Sequence, residues 1–416
     1  KMDIGFIGLG KLGLPCALAI DATGKHKVRG YDINEEIKTY LDDKSIPYQE
    51  KGSQELLDSH TIDFLSMSEV INKSEIIFVP IQTPHDPLYE GITRLPNERV
   101  DFDYDYLIDG LKQISLEIEK QQTEKIVVII STVLPGTVTR EIKPFLSKYI
   151  RLCYNPFFIA MGTTINDFTN PEFVLLGVDD KDAAETVKNL YSTIHSKEVY
   201  ECTIEEAELI KVSYNTFITM KICLANTVTE VSHKLNNINS DVVMQALTMA
   251  DERLISDKYL RGGMGDGGAC HPRDNIALSW LAREIDLSYD WYENLMISRE
   301  KHTEWLANLC IEYSEKTGLE IMILGRSFKK ESNLTTGSPS YLLKNILKEK
   351  QIEVSIHDPY IDKETLDLKT PKLFFIGTDH DVFKNYVFPE GSTVIDPWRI
   401  IDRNEQFNLI SVGNSY

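Results

Sequence analysis

The chain has no apolar run of about 18 residues, the length a membrane-spanning helix requires, and no basic-then-apolar leader. Neither a membrane span nor a secretory signal is read from it, and a cytoplasmic protein is expected. It has no Cys-x-x-Cys pair and no His-x-x-x-His cluster. The cysteines, Cys16, Cys153, Cys202, Cys223, Cys270 and Cys310, stand singly. That argues against a disulfide framework and a structural zinc site, and no metal is expected. There is no internal repeat and no low-complexity linker. Basic residues are in deficit, 44 against 64 acidic, and the formal charge of −20 disfavours nonspecific binding to nucleic acid or to an anionic membrane. A phosphate-bearing ligand must therefore be met by local cations and helix termini.

At 416 residues the chain exceeds one typical core, so two or three domains are expected. Its most unusual stretch is Gly262-Gly263-Met264-Gly265-Asp266-Gly267-Gly268-Ala269-Cys270-His271-Pro272-Arg273-Asp274. Glycines let backbone approach a bound group closely, their exposed N–H groups can lower a thiol pKa, and Arg273 adds a cation. A reactive Cys270 is one reading; a flexible surface turn with a buried cysteine is the other.

At the N-terminus, the apolar run of residues 2–8 suits a buried parallel strand and is followed by Gly8-Leu9-Gly10-Lys11-Leu12-Gly13 and a helix-like stretch through Ala22. Gly8 permits the tight turn, Gly10 lets a pyrophosphate near the backbone and Gly13 allows close helix–strand packing. Gly8, Gly10, Lys11, Leu12 and Gly13 are therefore cofactor-binding candidates. A second strand ends at Asp32, 22 positions beyond Gly10, where a carboxylate bonds adenosine ribose hydroxyls and repels a 2′-phosphate. NAD is favoured over NADP. Ile76–Val79 leads into Gln82-Thr83-Pro84, and Lys125–Ile130 leads into Ser131-Thr132-Val133, so polar residues stand at strand ends, where open α/β sheets bind ligands. Strand-end capping is the alternative for both threonines.

A third apolar run spans Val174 to Gly177, helices are read near 181–195 and from Thr203, and Lys211 and Asn215 share one face of the latter, four apart. Such a pair can polarise a sugar oxygen or stabilise an oxyanion; a solvated lysine and an exposed asparagine are the alternative. Further helix is expected from roughly Ile276 to Lys316. Strand and helix return at Ile321–Gly325, at the helix opened by Ser338-Pro339-Ser340, and at Glu353–Pro359.

The glycine-rich cysteine segment resembles that of the nucleotide-sugar 6-dehydrogenases, the UDP-glucose/GDP-mannose dehydrogenase family, in Gly-Gly, Cys270, Pro272 and Asp274. Arg273 stands where that family has lysine, and Asp266 where it has an aromatic. The Thr-Pro and Ser-Thr-Val segments, the Lys-x-x-x-Asn pair and the C-terminal Leu-Gly-x-x-Phe-Lys, Asp-Pro and Thr378-Asp379-His380 segments extend the resemblance over essentially the whole chain.

The resemblance implies two Rossmann-like doubly wound parallel-sheet domains joined by a helical middle domain with a long central helix. The expected limits are 1–202 for NAD, 203–317 for the dimerising middle domain that carries Cys270, and 318–416 for the nucleotide sugar. It implies a homodimer, and NAD-dependent oxidation of the C6 hydroxyl of a UDP-activated hexose to the uronate by two hydride transfers, through a Cys270 thiohemiacetal and then a thioester. Thr83 and Thr132 then contact the cofactor, with Thr132 and Asn215 placing water. Lys211 steadies oxyanions, and Asp274 assists proton transfer or orients Lys211. Lys211, Asn215, Tyr259, Gly267, Lys329 and Arg399 are the substrate-binding candidates, and Arg253 the candidate for a neighbouring subunit's substrate.

One segment breaks the family pattern. Where relatives read Asn/Ser-Pro-Glu-Phe-Leu-x-Glu-Gly, this chain reads Asn155-Pro156-Phe157-Phe158-Ile159-Ala160-Met161-Gly162, so Phe157 and Met161 replace both glutamates. Thioester hydrolysis loses its usual acid–base partner, and Asp266 or His271 is a candidate substitute. Beyond Phe-Lys, Leu334, Thr335 and Thr336 replace the family's Asp and Arg, so sugar or base contacts there differ. The alternatives are oxidation of another nucleotide sugar, arrest at the aldehyde, a non-catalytic NAD-binding homologue, and a 3-hydroxyacid dehydrogenase, which needs neither Cys270 nor residues 318–416.

Overall fold

The computed structural model describes residues 1–252, 254, 256, 258–287 and 290–415, with only the backbone of residue 227. The chain falls into two compact units, one of Lys1–Pro84 and Phe102–Ser213, the other of His85–Asp101 and Tyr214–Tyr416.

The first unit begins with β1 (Asp3–Ile7), α1 (Gly13–Ala22), β2 (Lys27–Tyr31), α2 (Glu36–Asp42), α3 (Ser53–Ser59), β3 (Asp63–Phe64), α4 (Met67–Lys73) and β4 (Ile76–Val79). It continues through α5 (Asp105–Gln121), β5 (Lys125–Ile129), β6 (Ile150–Tyr154), α6 (Thr164–Thr169), β7 (Val174–Val178), α7 (Lys181–Ser192) and β8 (Val199–Cys202). The sheet order is β3-β2-β1-β4-β5-β6-β7-β8. Its strands are parallel except where β6 meets β7. The apolar runs are continuous because both faces are covered, and the two-residue period of a strand sorts them into two layers. Ile4, Phe6, Ile76, Phe78 and Val128 face one core, with Leu14 and Leu18 of α1. Ile7, Ile77, Val79, Val127 and Ile129 face the other, with Leu107, Leu111 and Ile114 of α5.

The long helix α8 (Ile204–Lys234) belongs to the second unit from Tyr214 on. There it is followed by α9 (Ser240–Thr248), α10 (Cys270–Glu284), α11 (Trp291–Thr317), β9 (Ile321–Leu324), α12 (Pro339–Glu349), β10 (Ser355–His357), β11 (Leu373–Ile376), β12 (Thr393–Asp396) and β13 (Asn408–Ser411). The five strands form an all-parallel sheet in the order β10-β9-β11-β12-β13. Alternation works here too: Ile321, Ile323, Leu373 and Phe375 pack on Leu306 and Cys310 of α11 and Leu343 and Ile346 of α12. Leu324, Phe374 and Ile376 pack with Phe383 and Phe388 on the other face.

Helix α10 starts at Cys270 and not near Ile276, where sequence periodicity placed it. Pro272 hid the start, although in a first turn a proline removes no intrahelical hydrogen bond. The single helical region expected to Lys316 is two helices, the second capped by Asp290, whose side chain accepts from the Glu293 amide.

Candidate functional site

In the first unit the strand order reverses between β1 and β4, which is where an open parallel sheet leaves a crevice beyond its strand ends. The turn after β1 fills this position. Gly8 has φ +119°, and a Cβ on Gly13 would lie 2.2 Å from the Gly8 carbonyl oxygen, so both positions demand glycine. A Cβ on Gly10 would meet nothing within 4 Å, which leaves open backbone beside the start of α1. The Asp32 carboxylate accepts from the Leu9 amide at 2.7 Å and from the Asn34 amide at 2.8 Å, which fixes it at the end of β2. Lys11 is exposed, with its ammonium 5.9 Å from the Tyr48 ring centroid, and Leu12 precedes the helix as its N-cap. This arrangement fits a dinucleotide: open backbone and a helix terminus for the pyrophosphate, a carboxylate for the ribose.

Beyond β4 and β5, Thr83 is buried and its hydroxyl donates to the Thr132 carbonyl at 3.1 Å, tying the two strand ends together. Helix α8 starts in this unit. Buried Glu208 accepts from the amides of Gly136 (3.2 Å) and Val138 (3.1 Å). Burial pushes its carboxyl up to about 7 against those bonds. One turn from Glu208, Lys211 is also buried, its ammonium 5.1 Å from the Phe158 ring centroid. Phe157 packs on Phe168 at 5.5 Å in the core of this unit, so the residue at the first missing glutamate is a true apolar replacement.

In the second unit Cys270 is exposed and is the first residue of α10. The flexible turn with a buried cysteine is not what is found. The other described cysteines are buried or half-buried, and burial pushes Cys153, Cys202 and Cys223 up to about 12, 11 and 12. A polar seam joins α10 to α8. Asn215 donates to one oxygen of the fully buried Asp274, whose other oxygen takes Arg273 at 2.9 Å. Asn275 accepts from Thr216 at 3.0 Å and donates to Thr219 at 3.1 Å. Sequence reading missed Thr216, Thr219 and Asn275; their spacing on α8 and α10 was visible, but not that the helices face each other.

The glycine segment is held from several sides. Asn226 donates to the Gly265 carbonyl and accepts from the Gly263 amide, while His302 reaches the Gly263 carbonyl. A Cβ on Gly263 would lie 2.2 Å from the Trp398 ring, and one on Gly268 2.9 Å from Phe328, so side chains of the C-terminal sheet press directly on its backbone.

Several expected residues are placed otherwise. Asp266 is no free base: it forms a buried ion pair with Arg299, Nε to Oδ1 2.7 Å, the side chains 1% and 2% exposed. His271 turns toward α8, its Nδ1 3.2 Å from both the Asn215 carbonyl and the Thr219 hydroxyl, because successive helical residues point about 100° apart. Arg399 does not reach for a substrate. All five of its N–H groups are used, by Asp241 and by the carbonyls of Pro397, Val412 and Gly262. It braces the glycine segment. Tyr259 is exposed at φ +64°, Gly267 has φ +114° beside the His271 ring, and Lys329 is half-buried after β9. Arg253 lies outside the described residues. In the same sheet, buried His380 accepts the Glu331 amide on Nδ1 and meets Asp358 at 3.0 Å with Nε2, which makes the pair a brace for the loop after β9. Among the described residues no group of three His, Cys, Asp or Glu is placed to hold a metal ion, and no helix is long and apolar enough to cross a membrane.

A dinucleotide turn at the switch point of a parallel sheet defines an oxidoreductase of the NAD-binding type. Residues 2–195 match the model of the UDP-glucose/GDP-mannose dehydrogenase family NAD-binding domain, and residues 205–298 that of the family's central domain. The chain belongs to the UDP-glucose/GDP-mannose dehydrogenase family. It is 26% identical to the GDP-mannose 6-dehydrogenase of Pseudomonas syringae pv. syringae over 87% of this chain and 82% of that one. It is 25% identical to a UDP-glucose 6-dehydrogenase of Haloferax volcanii over 99% and 100%. Its fold is that of a UDP-glucose dehydrogenase from Pyrobaculum islandicum, TM-score 0.84 at 22% identity over 100% and 98% of the two chains. A UDP-D-ManNAc dehydrogenase from Pyrococcus horikoshii gives 0.81 at 21% over 100% of both. The two doubly wound sheets and the helical middle region are as expected, and the protein is an NAD-dependent nucleotide-sugar dehydrogenase.

Proposed function

We propose that the protein oxidises the C6 hydroxyl of a UDP-glucose-like nucleotide sugar to the uronate through a covalent bond to Cys270. The observation that carries this reading is the exposed thiol on the first turn of α10, in a unit whose other described cysteines are buried. Bound NAD supplies the hydride acceptor for each oxidation. Gly8, Gly10, Lys11, Leu12 and Gly13 hold its pyrophosphate, Asp32 its ribose, and Thr83 and Thr132 line its far end. Cys270 adds to the C6 aldehyde from the exposed N-terminus of α10. Lys211 counters the negative charge that develops on the reacting oxygen, and Asn215 with Thr132 places water. Asp274 orients Asn215. Tyr259, Gly267 and Lys329 meet the substrate; Lys329 follows β9, where the second sheet reverses its strand order.

In this reading residues 1–202 serve the dinucleotide, 203–317 the covalent step and pairing, and 318–416 the nucleotide sugar. The chain works in the cytoplasm as a homodimer. Phe217, Leu224 and Val231, seven apart on α8, are 39%, 51% and 50% exposed, a stripe suited to a second copy. Sedimentation of Leu224→Glu against the parent tests the pairing. The apolar Phe157 and Met161 favour a second reading, arrest before the acid. Mass spectrometry of products from UDP-, GDP- and TDP-sugars with NAD separates the two. Cys270→Ser is expected to abolish uronate and keep NAD binding; uronate at the parent rate would remove the covalent mechanism.

A further inference from the structure

Residues 131–138, the loop beyond β5 that carries Thr132, hold no charged side chain. Neighbours in the first unit pin this loop from several sides. The Thr83 hydroxyl donates to the Thr132 carbonyl at 3.1 Å, and the Tyr154 phenol donates to the Ser131 carbonyl at 2.8 Å. The Tyr104 phenol accepts from the Leu134 amide at 3.2 Å. Glu208 of α8 takes the far end, its two oxygens accepting from the amides of Gly136 at 3.2 Å and Val138 at 3.1 Å, where the short helical stretch Val138–Ile142 begins.

Glu208 differs from the other pins in two respects. It is a wholly buried carboxyl, and it stands on α8 three positions before Lys211. Residues three apart on a helix share one face at about 5–6 Å, so the turn that presents the Lys211 ammonium also fixes the backbone of the Thr132 loop. Burying a carboxyl for this purpose is costly, and burial accordingly pushes it up to about 7. Ionised, it accepts from both amides. Protonated, it keeps one good acceptor oxygen and gains an O–H that needs a partner of its own. The charged and titratable groups around it are few. On α8 these are Lys211 and Glu205, whose charge raises the Glu208 carboxyl further and whose own oxygen accepts from the Thr139 hydroxyl at 2.7 Å. Past the loop, Arg140 and Glu141 pair with each other at 2.9 Å on the surface, and the Tyr104 phenol lies on the loop itself.

We propose that Glu208 is a positioning residue for the oxidation: it fastens the Thr132 loop to α8 and so sets the Thr132 hydroxyl in register with the Lys211 ammonium. This rests on the roles given above to Thr132 and Lys211. Glu208 itself touches neither substrate nor cofactor, and no bond to it is made or broken in the reaction. Its carboxylate form holds both amides, so turnover rises as pH rises through the range in which it ionises, while the same ionisation costs folding stability.

The test measures steady-state kinetics of the full chain from about pH 6 to about pH 9, with NAD and the nucleotide sugar that the parent oxidises in the product screen, for Glu208→Gln, Glu208→Asp and Glu205→Ala beside the parent. Glu208→Gln keeps the volume and one acceptor oxygen. It is expected to lower kcat about 10–100-fold near pH 8, to leave KM and NAD affinity within about twofold, and to lose the limb near pH 7 that the parent shows. Glu208→Asp, too short to span both amides, is expected to fall between, and Glu205→Ala to keep the parent kcat with its limb moved to lower pH. A parent kcat in Glu208→Gln, an unchanged limb in that variant, or an equal loss in Glu205→Ala would overturn the proposal. Should Glu208→Gln fail to fold, a parent kcat in Glu208→Asp would do the same. Parent kcat in both Lys211→Ala and Thr132→Ala would instead overturn the roles on which the proposal rests.

Discussion

The pairing of Asp266 with Arg299 makes a sharp prediction, because this buried ion pair occupies a position where the family carries an aromatic. Both side chains are essentially inaccessible, Nε lies 2.7 Å from Oδ1, and Asp266 Oδ2 and Arg299 Nη2 have no further partner among the described residues. Removing one member of such a pair leaves the other charged and buried, at a cost of about 3–5 kcal/mol. For a unit of roughly 200 residues, each kcal/mol moves the melting temperature by about 2–4 °C. Asp266→Asn is therefore expected to lower the melting transition of the second unit by roughly 6–20 °C. The pair Asp266→Phe with Arg299→Leu, which replaces both charges by apolar volume, is expected to recover most of this loss. Differential scanning calorimetry with and without NAD reads both. A shift of under about 2 °C in Asp266→Asn, or a double variant no more stable than the single one, would refute the argument.

Three further expectations follow from the first unit. Asp32→Ser is expected to raise the efficiency with NADP relative to NAD at least about tenfold, since the carboxylate that opposes a 2′-phosphate is gone; steady-state kinetics with both cofactors measures it. Gly13→Ala would place a Cβ 2.2 Å from the Gly8 carbonyl oxygen, so calorimetry should show a loss of about 1–3 kcal/mol and NAD titration a weakened affinity. Glu208 has its folded pKa raised to about 7, above an unfolded value near 4.3, so its contribution to stability is full below about pH 4.3 and is lost as pH rises through about 7. Glu208→Gln should flatten that slope, and urea melts at pH 5 and pH 7.5 that fall in parallel for parent and variant would contradict it.

The parallel sheets were legible because their apolar runs carry no polar interruption and end at glycine or polar turns, as at Ile7-Gly8 and Leu324-Gly325. The dinucleotide turn was legible for a related reason, since each of its glycines answers a local steric demand. Arg399 and Asp266 were misread for want of their partners. Asp241 and Arg299 lie 158 and 33 positions away, and a charge that a sequence shows as available is paired by tertiary packing alone. Cys270 stood out in the sequence by its glycine-rich setting, but not as the first residue of a helix, because the glycines and Pro272 mask the periodicity that begins there. The place of residues 85–101 gave no signal at all, because it depends on packing with helices met almost 200 positions later.

The acids near Cys270 are tied into bonds with their neighbours, and this bears on the covalent reading proposed above. Asp274 is wholly buried, with Asn215 on one oxygen and Arg273 on the other. Its chemistry is therefore orientation: it holds Asn215 on α8 and, through Arg273, the charge carried by the first turn of α10. Asp266 is tied in the same way to Arg299. Positions 157 and 161 are apolar, and His271 is turned toward α8. If Cys270 forms the proposed adduct, Asp274→Asn is expected to slow its formation, read by rapid mixing and intact mass, because Asn215 and Arg273 lose the carboxylate that holds them.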